Sequence, residues 1–581
     1  MNESMKKLTS LFLALLLVLT CVQVMASAEG GAKVYRSYMG TDCPTLNAQN
    51  SVQTSLDTPT SYCGAFLYRA VPDEDGGNFH YVGDIAAELP VQVDAVTWNI
   101  PLLKEACWAN GDPINADTVV YSFKMLLDPL LVNQMADFLA DYNIKVLNAK
   151  AYNQQGTENT VAWEDVGVKK IDDYTVQIIT DGEYTQTQVC SQFTNRATAV
   201  VYEPLYEAGM NEDRTMTTYG STLDQYMCAG PYKFDSWVFD HAQTYVRNEK
   251  YWMPELYHYD TVEIRIIPEM NARVELWEQG MLDDLSPDAN TIETYIDDPR
   301  MVEYSSLTIF HIDVNCANPA NPLSSSVNYR RALYYAMNRE VIAESIFGYQ
   351  EPAGWYVNGQ AGLLSESGLT YRESEYGKAV VDKVNSWGPA GYSPELAREY
   401  LAKAYEECNL PADTVVTLHM AFDESDTAWK ATAEYLMEEF PVIFEGKLAI
   451  TIDTYAGIST TEYKKTTDSW DLSPNDWTRG ASRTYPYTCF YYYLESYGSH
   501  PNNYFDAEFE AQYAVCESVK DDYEAMLKET QKLEEIYIDK VIHIPMVQAV
   551  SYQMFSDRLV LPVTTYIPGF GWGTMFGDIA E

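Results

Sequence analysis

Residues 230–284 leave this chain few choices of fold. Gly230-Pro231-Tyr232-Lys233-Phe234 places a turn ahead of a strand, and an aromatic stretch leads on to Val262-Glu263-Ile264-Arg265-Ile266-Ile267-Pro268. Val262, Ile264 and Ile266 alternate with Glu263 and Arg265, the period of two of a half-buried strand. Pro268 has no N–H to give a ladder, so the strand ends before it. Asn271 is placed to cap a helix over residues 272–279, and Gly280 suits the left-handed position that closes one. Asp283 and Asp284 follow. A strand that gives way to a helix so abruptly is a unit of an α/β core.

The same grammar recurs along the chain. Residues 34–38 read as a first strand, 93–100 as another with Val96, Trp98 and Ile100 on one face, and 175–180 as a third. Asp73-Glu74-Asp75-Gly76-Gly77-Asn78 lacks the remaining ligands of a calcium loop and reads as a hairpin turn. Trp108-Ala109-Asn110-Gly111-Asp112-Pro113 is a tight turn, after which Asn115 caps a helix. Residues 311–315 re-enter a core as a strand. A helix over 325–346 follows, with Ala332, Leu333, Ala336 and Met337 as its apolar stripe and Arg330 and Arg331 on a solvated face. Helices are expected at 393–407 and 426–439, the latter between strands at 415–421 and 450–455, and a last strand at 541–547. This β-α-β order calls for mixed sheets covered by helices.

At 581 residues the chain exceeds one core, so two or three domains are expected. A net charge of −46 disfavours nucleic acid and anionic membranes as partners. Lys6 and Lys7, an apolar run over 11–19 and Ala26-Ser27-Ala28 make residues 1–28 a signal peptide cleaved after Ala28. The protein is therefore expected outside the cell or at the exterior of its envelope. Lipid anchoring at Cys21 is disfavoured by the bulky Val18-Leu19-Thr20 before it. Beyond Cys21 lie Cys43, Cys63, Cys107, Cys190, Cys228, Cys316, Cys408, Cys489 and Cys516, with no CxxC spacing and hence no zinc motif. Buried free thiols are expected for most, with one bridge such as Cys43–Cys63.

The order Gly-Pro-Tyr-Lys, Arg247-Asn248, Tyr251-Trp252, a strand ending Ile-Ile-Pro, Asn271-Ala272-Arg273 and Gly280-x-x-Asp283-Asp284 resembles family 5 of the bacterial extracellular solute-binding proteins. These are the oligopeptide- and dipeptide-binding components of ABC importers. The turn at 108–113 with its helix, Tyr329 to Arg339, and Ile544-Pro545-Met546 resemble further family motifs, so the likeness runs from about Val34 to Phe570. Thr45-Leu46-Asn47 matches an early family element, but Ala48 stands where the family has proline.

The resemblance implies an α/β, two-lobed periplasmic-binding-protein-like fold (type II, the large three-domain version) with mixed sheets and a two-strand hinge. It places lobe I at 29–65, 220–305 and 541–581, an extra domain at 66–219, lobe II at 306–540, and the hinge at 305–315 and 540–546. It further implies an oligopeptide ligand, an ABC permease as partner, a monomer, and neither enzyme activity nor cofactor nor metal. The family's ligand-reading motif maps to Trp470-Asp471-Leu472 followed by Trp477. The acid that pairs with a peptide's ammonium falls on Gly480, leaving neighbouring Asp476 as the substitute. Trp477, Tyr485 and Tyr487 are candidates for stacking, and Arg479 and Arg483 for pairing with a carboxylate. The loss of that acid keeps an oligosaccharide open as the alternative ligand. A secreted glycoside hydrolase is the distant alternative from another class, without an HExxH or GxSxG motif to support it.

Overall fold

The computed structural model describes residues 31–580 apart from 142–143, 158–159, 363–368, 457–459, 476–484, 496–503 and 521. The chain divides into two compact units, one of Met1–Leu285 with Phe555–Glu581 and one of Ser286–Met554.

The base of the first unit is a four-stranded mixed sheet. Val34–Met39 runs parallel to Thr261–Ile266, which pairs antiparallel with Ala242–Arg247, and that strand pairs with Tyr232–Val238. Val262 and Ile264 are buried as their alternation requires. The helix after this strand starts earlier than its apparent cap suggests. It spans Met270–Glu278, with Asn271 inside it and Glu269 before it making no side-chain cap bond. Its end follows expectation. Gly280 takes φ +65°, and the N–H groups of Gly280 and Met281 bond the carbonyls of Trp277 and Leu276, which would otherwise be left without donors.

A separate apolar core assembles between Ala65 and Ala229. Its sheet is antiparallel, in the order Val91–Asp94, Thr97–Pro101, Thr175–Ile179, Val168–Asp172. The single strand expected at 93–100 is thus two. Asp94 accepts the Val96 N–H at 3.0 Å, and that side-chain turn breaks the run. Residues 73–78 form the expected turn of a hairpin between Tyr68–Pro72 and Phe79–Gly83, with Gly76 at φ +70°. Asn115 caps Ala116–Leu127 through a reciprocal capping box with Thr118.

The shared motifs now have physical roles. Asn248 donates to the Gly230 carbonyl at 2.9 Å and holds the turn that starts the sheet. Tyr251 donates to the buried Asp84 carboxylate at 2.7 Å, and Trp252 to the Asp84 carbonyl at 2.6 Å. Asp84 also pairs with buried Arg69 at 2.8 Å.

In the second unit the long strands Met301–Val314 and Ile544–Phe555 pair antiparallel, with His311 opposite Pro545 and Ile312 opposite Ile544. Met301–Val314 also pairs with Leu472–Asn475, and Val416–Asp423 runs parallel to both Leu472–Asn475 and Leu448–Tyr455. The β-α-β reading of this region holds, with the helix Thr427–Ile443 capped by Asp426. Ser393 caps Pro394–Glu407. The helix expected over 325–346 divides: Val327–Ala336 ends at Met337, and Asn338 caps a new start at Arg339. The last strand begins later than residue 541 because Val541, at φ +45°, closes the helix Tyr523–Lys540.

Arg330 does not lie on a solvated face. It is fully buried, and its Nε donates to the Val541 and Lys540 carbonyls at 3.0 and 3.3 Å. A cation at the end of Tyr523–Lys540 is favoured by that helix's dipole. Arg331 donates to the Asp539 carbonyl at 2.8 Å in the same way. The nine cysteines among the described residues are free thiols, and Cys43 and Cys63 are not joined. The Cys43 thiol is held instead between Asp42, to which it donates at 3.6 Å, and the Gln243 amide at 3.5 Å.

Candidate functional site

Among the described residues, the first unit holds a cavity open to a solute, and the second holds the two ends of the segment expected to bind one. In the first, Val34–Met39 ends at Gly40 and Thr41, and a cavity of about 470 Å³ opens there. Its polar lining comes from Thr41, Gln53, Thr54, Ser55 and Thr58. The ends of parallel strands are a recurrent site for ligands in α/β folds. Hydroxyl and amide groups can donate to and accept from an uncharged polar solute, but they provide no fixed charge. Gly40 is needed for space: a Cβ there would lie 3.0 Å from Arg273 Nη2. Arg273 is held in place by donating to the Ile267 carbonyl at 2.6 Å, and its guanidinium lies 4.7 Å from the Tyr38 ring centre.

In the second unit the candidate residues belong to the segment that begins after Leu472–Asn475. Asp476, Trp477, Arg479, Gly480 and Arg483 lie outside the described residues. The segment's two ends are described. At the near end, Asp471 accepts from Asn318 and Asn321, both at 2.8 Å, and from the His419 N–H at 2.8 Å. The Trp470-Asp471-Leu472 motif is thus an anchor that locks the strand to its neighbours. Asn475 donates to Asp313 at 3.0 Å. At the far end, Tyr485 is half-buried, and Tyr487 is buried with its ring packed edge-on against Tyr513.

Beneath these ends lies a buried charge cluster that no sequence pattern disclosed. Asp313 is paired with Lys464, and its carboxylate lies 3.1 Å from His543 Nε2 and 3.6 Å from His311 Nε2. Burial opposes the charge on Asp313, but the Lys464 ammonium overrides it and holds the carboxyl below its usual range. Burial pushes the His543 imidazole well below its usual value, so it is neutral near pH 7. The Tyr493 hydroxyl lies 2.9 Å from both His311 Nε2 and the Tyr356 hydroxyl. Asp313, His311 and His543 are fully buried. An acid beside a histidine could suggest proton transfer, but all three side chains are closed off from solvent. The cluster can fix strands in register.

A lysine in Thr-Thr-Glu-Tyr-Lys-Lys-Thr reads as solvated, and only tertiary packing buries Lys464. The cavity could have been suspected from Gly40-Thr41 directly after a strand. Among the described residues no group of His, Cys, Asp and Glu could hold a metal ion, and no helix is long and apolar enough to cross a membrane.

Residues 80–499 match the family model described as bacterial extracellular solute-binding proteins, family 5 Middle. The dipeptide-binding protein DppE of Bacillus subtilis is 25% identical over 50% of this chain and 50% of its own length. The oligopeptide-binding protein OppA of the same organism is 26% identical over 46% of the chain and 47% of its length. The chain thus spans about half the length of the curated relatives it matches. Over nearly its full length it is similar in fold to an unliganded open form of the murein tripeptide-binding protein MppA, with TM-score 0.71, 17% identity, and 95% and 98% of the two chains covered. The architecture is the two-lobed α/β fold of these proteins.

Proposed function

Since the chain belongs to family 5 of the bacterial extracellular solute-binding proteins, we propose that it captures an oligopeptide outside the cytoplasm and delivers it to the permease of an ABC importer. The observation that carries this reading is the family match across residues 80–499. The names of relatives that bind dipeptides and oligopeptides supply the ligand class. In this reading the solute leaves unaltered, so the chain is a carrier rather than a catalyst, acting as a monomer after loss of residues 1–28.

We divide the mature chain as the family likeness suggests, with lobe I at 29–65, 220–305 and 541–581, an extra domain at 66–219 and lobe II at 306–540. Closure on the solute would exclude water, so hydrogen bonds to the ligand would form at low dielectric and discriminate strongly. The solute stabilises the closed state through its greater affinity for it. Asp476 meets the peptide ammonium, Arg479 and Arg483 its carboxylates, and Trp477, Tyr485 and Tyr487 its side chains. The buried Asp313 anchor supports this assignment, because it tethers the residue immediately before Asp476.

A second reading has one observation in its favour. Gly480 stands where peptide binders of the family carry an acid, which suits an uncharged oligosaccharide stacked on Trp477 and Tyr485.

Titration calorimetry with peptide and oligosaccharide libraries tests both. Peptide hits should lose at least tenfold in affinity in Asp476→Asn and lose binding when the peptide is N-acetylated. Saccharide hits without peptide hits would replace the ligand class, and turnover of any bound compound would end the carrier reading.

A further inference from the structure

Cys63 ends the helix Asp57–Cys63, and Cys228 precedes the Gly230-Pro231 turn. The Cys63 carbonyl accepts the N–H groups of both Ala229 and Gly230 at 2.8 Å, so the two backbones run against each other. The approach is too close for any side chain at Gly230, where a Cβ would lie 2.4 Å from the Tyr62 carbonyl oxygen. The two thiols lie close enough across this contact to shift each other's proton affinity, beside the Phe234 N–H. Cys63 is 0% and Cys228 8% exposed. Cys43 has other partners, as described above, so it does not compete for either sulfur.

The position of the pair gives it significance. The separate apolar core of the first unit begins at Ala65 and ends at Ala229, immediately beyond the two cysteines. Cys63 and Cys228 therefore stand at the neck through which the chain leaves the mixed sheet and returns to it. A bond between them would close a loop around the whole inserted body.

We propose that Cys63 and Cys228 are joined as a disulfide once the protein is outside the cytoplasm, stapling the neck of the inserted body. The inference rests on the export reading only for where oxidation occurs; the adjacent thiols stand without it. The oxidant is a disulfide-carrying exchange partner. The Cys228 thiolate attacks one sulfur of that disulfide and expels the other as a thiolate, leaving a mixed disulfide. The Cys63 thiolate then attacks the Cys228 sulfur and releases the remaining donor sulfur. Two protons pass to solvent or the donor, the two cysteines are oxidised, and the donor disulfide is reduced to two thiols. Linkage of such distant positions restricts the unfolded chain and so stabilises the fold.

The test uses the purified mature chain equilibrated with mixtures of oxidised and reduced glutathione, then acid-quenched, alkylated and digested without reduction. A cross-linked peptide containing Cys63 and Cys228 is expected, with the other seven cysteines alkylated. The oxidised protein should lose several degrees of Tm on addition of a phosphine reductant, and the Cys63→Ser/Cys228→Ser protein should show no such response. The mapping needs no variant, so it decides the matter even if the double substitution fails to fold. Full alkylation of both cysteines after the most oxidising mixture, or linkage of Cys63 to a different cysteine, would overturn the disulfide. A Cys63–Cys228 link that leaves Tm unchanged on reduction would overturn the stapling role. Because glutathione supplies the oxidant, none of these outcomes depends on export or on the ligand.

Discussion

Asp313 in the second unit and Asp284 in the first each hold a carboxylate oxygen away from water, and burial has opposite outcomes for them. Asp313 has an ammonium against it and stays ionised well into acid. At Asp284 burial and the like charge of Asp283 outweigh the Ser37 and Tyr35 hydroxyls and the backbone, and the carboxyl is pushed up to about 6. The difference shows that desolvation sets the cost of a buried charge, while the neighbour decides whether the group keeps it. It also gives the two groups opposite contributions to stability in acid. Asp284 binds a proton more tightly folded than unfolded, so its own contribution to the first unit's stability rises as the pH falls from about 6 toward the ordinary aspartate value. Asp313 contributes stability above the ordinary aspartate value and loses it as the pH falls through its lower folded value.

The largest break in this comparison comes from removing the cation. Lys464→Met strands Asp313 as an uncompensated buried charge and should cost the second unit about 3–5 kcal/mol, measured by denaturant unfolding or amide exchange in Met301–Val314 at pH 7.5. The double substitution Asp313→Asn/Lys464→Met should recover most of that loss. A single variant as stable as the parent would show that the pair is not isolated from water.

The next largest effect runs the other way. Asp284→Asn should stabilise the first unit by on the order of 2–3 kcal/mol at pH 8, because the parent carries an unfavourable charge there. The gain should vanish near pH 4, where the carboxyl is protonated. A gain equal at both pH values would mean that something other than ionisation is being relieved.

Asn115→Ala provides the smallest effect and a control. Loss of the cap on Ala116–Leu127 should cost about 1 kcal/mol, the same at pH 5 and pH 8, because no ionisable group is removed. A pH-dependent cost would show that the acid response of this unit spreads well beyond Asp284.

How much of this was legible beforehand varied with the range of the interaction. Asn115 as a cap, Gly280 as a helix end and the hairpin turn at Asp73–Asn78 were readable because each is settled within a few residues. The boundaries that failed did so where a local signal had a competitor. Asn271 looked like a cap, but the helix starts one residue before it at Met270. The alternation around Val96 hid a turn set by Asp94. Arg330 was misplaced because arginines are usually exposed, and nothing nearby reveals that its side chain would meet the carbonyls of Lys540 and Val541. For the candidate site, Trp470-Asp471-Leu472 was visible as a motif, whereas its use as an anchor depended on Asn318, Asn321 and His419.

By itself the sequence determined the α/β class, the family and most element boundaries, because periodicity, caps and turns act over neighbouring residues. The tertiary structure alone decided which charges are buried, that Lys464 meets Asp313, and that Cys63 lies beside Cys228. Those contacts join positions far apart in the chain, and no local pattern encodes the distance between side chains that only the completed sheets bring together.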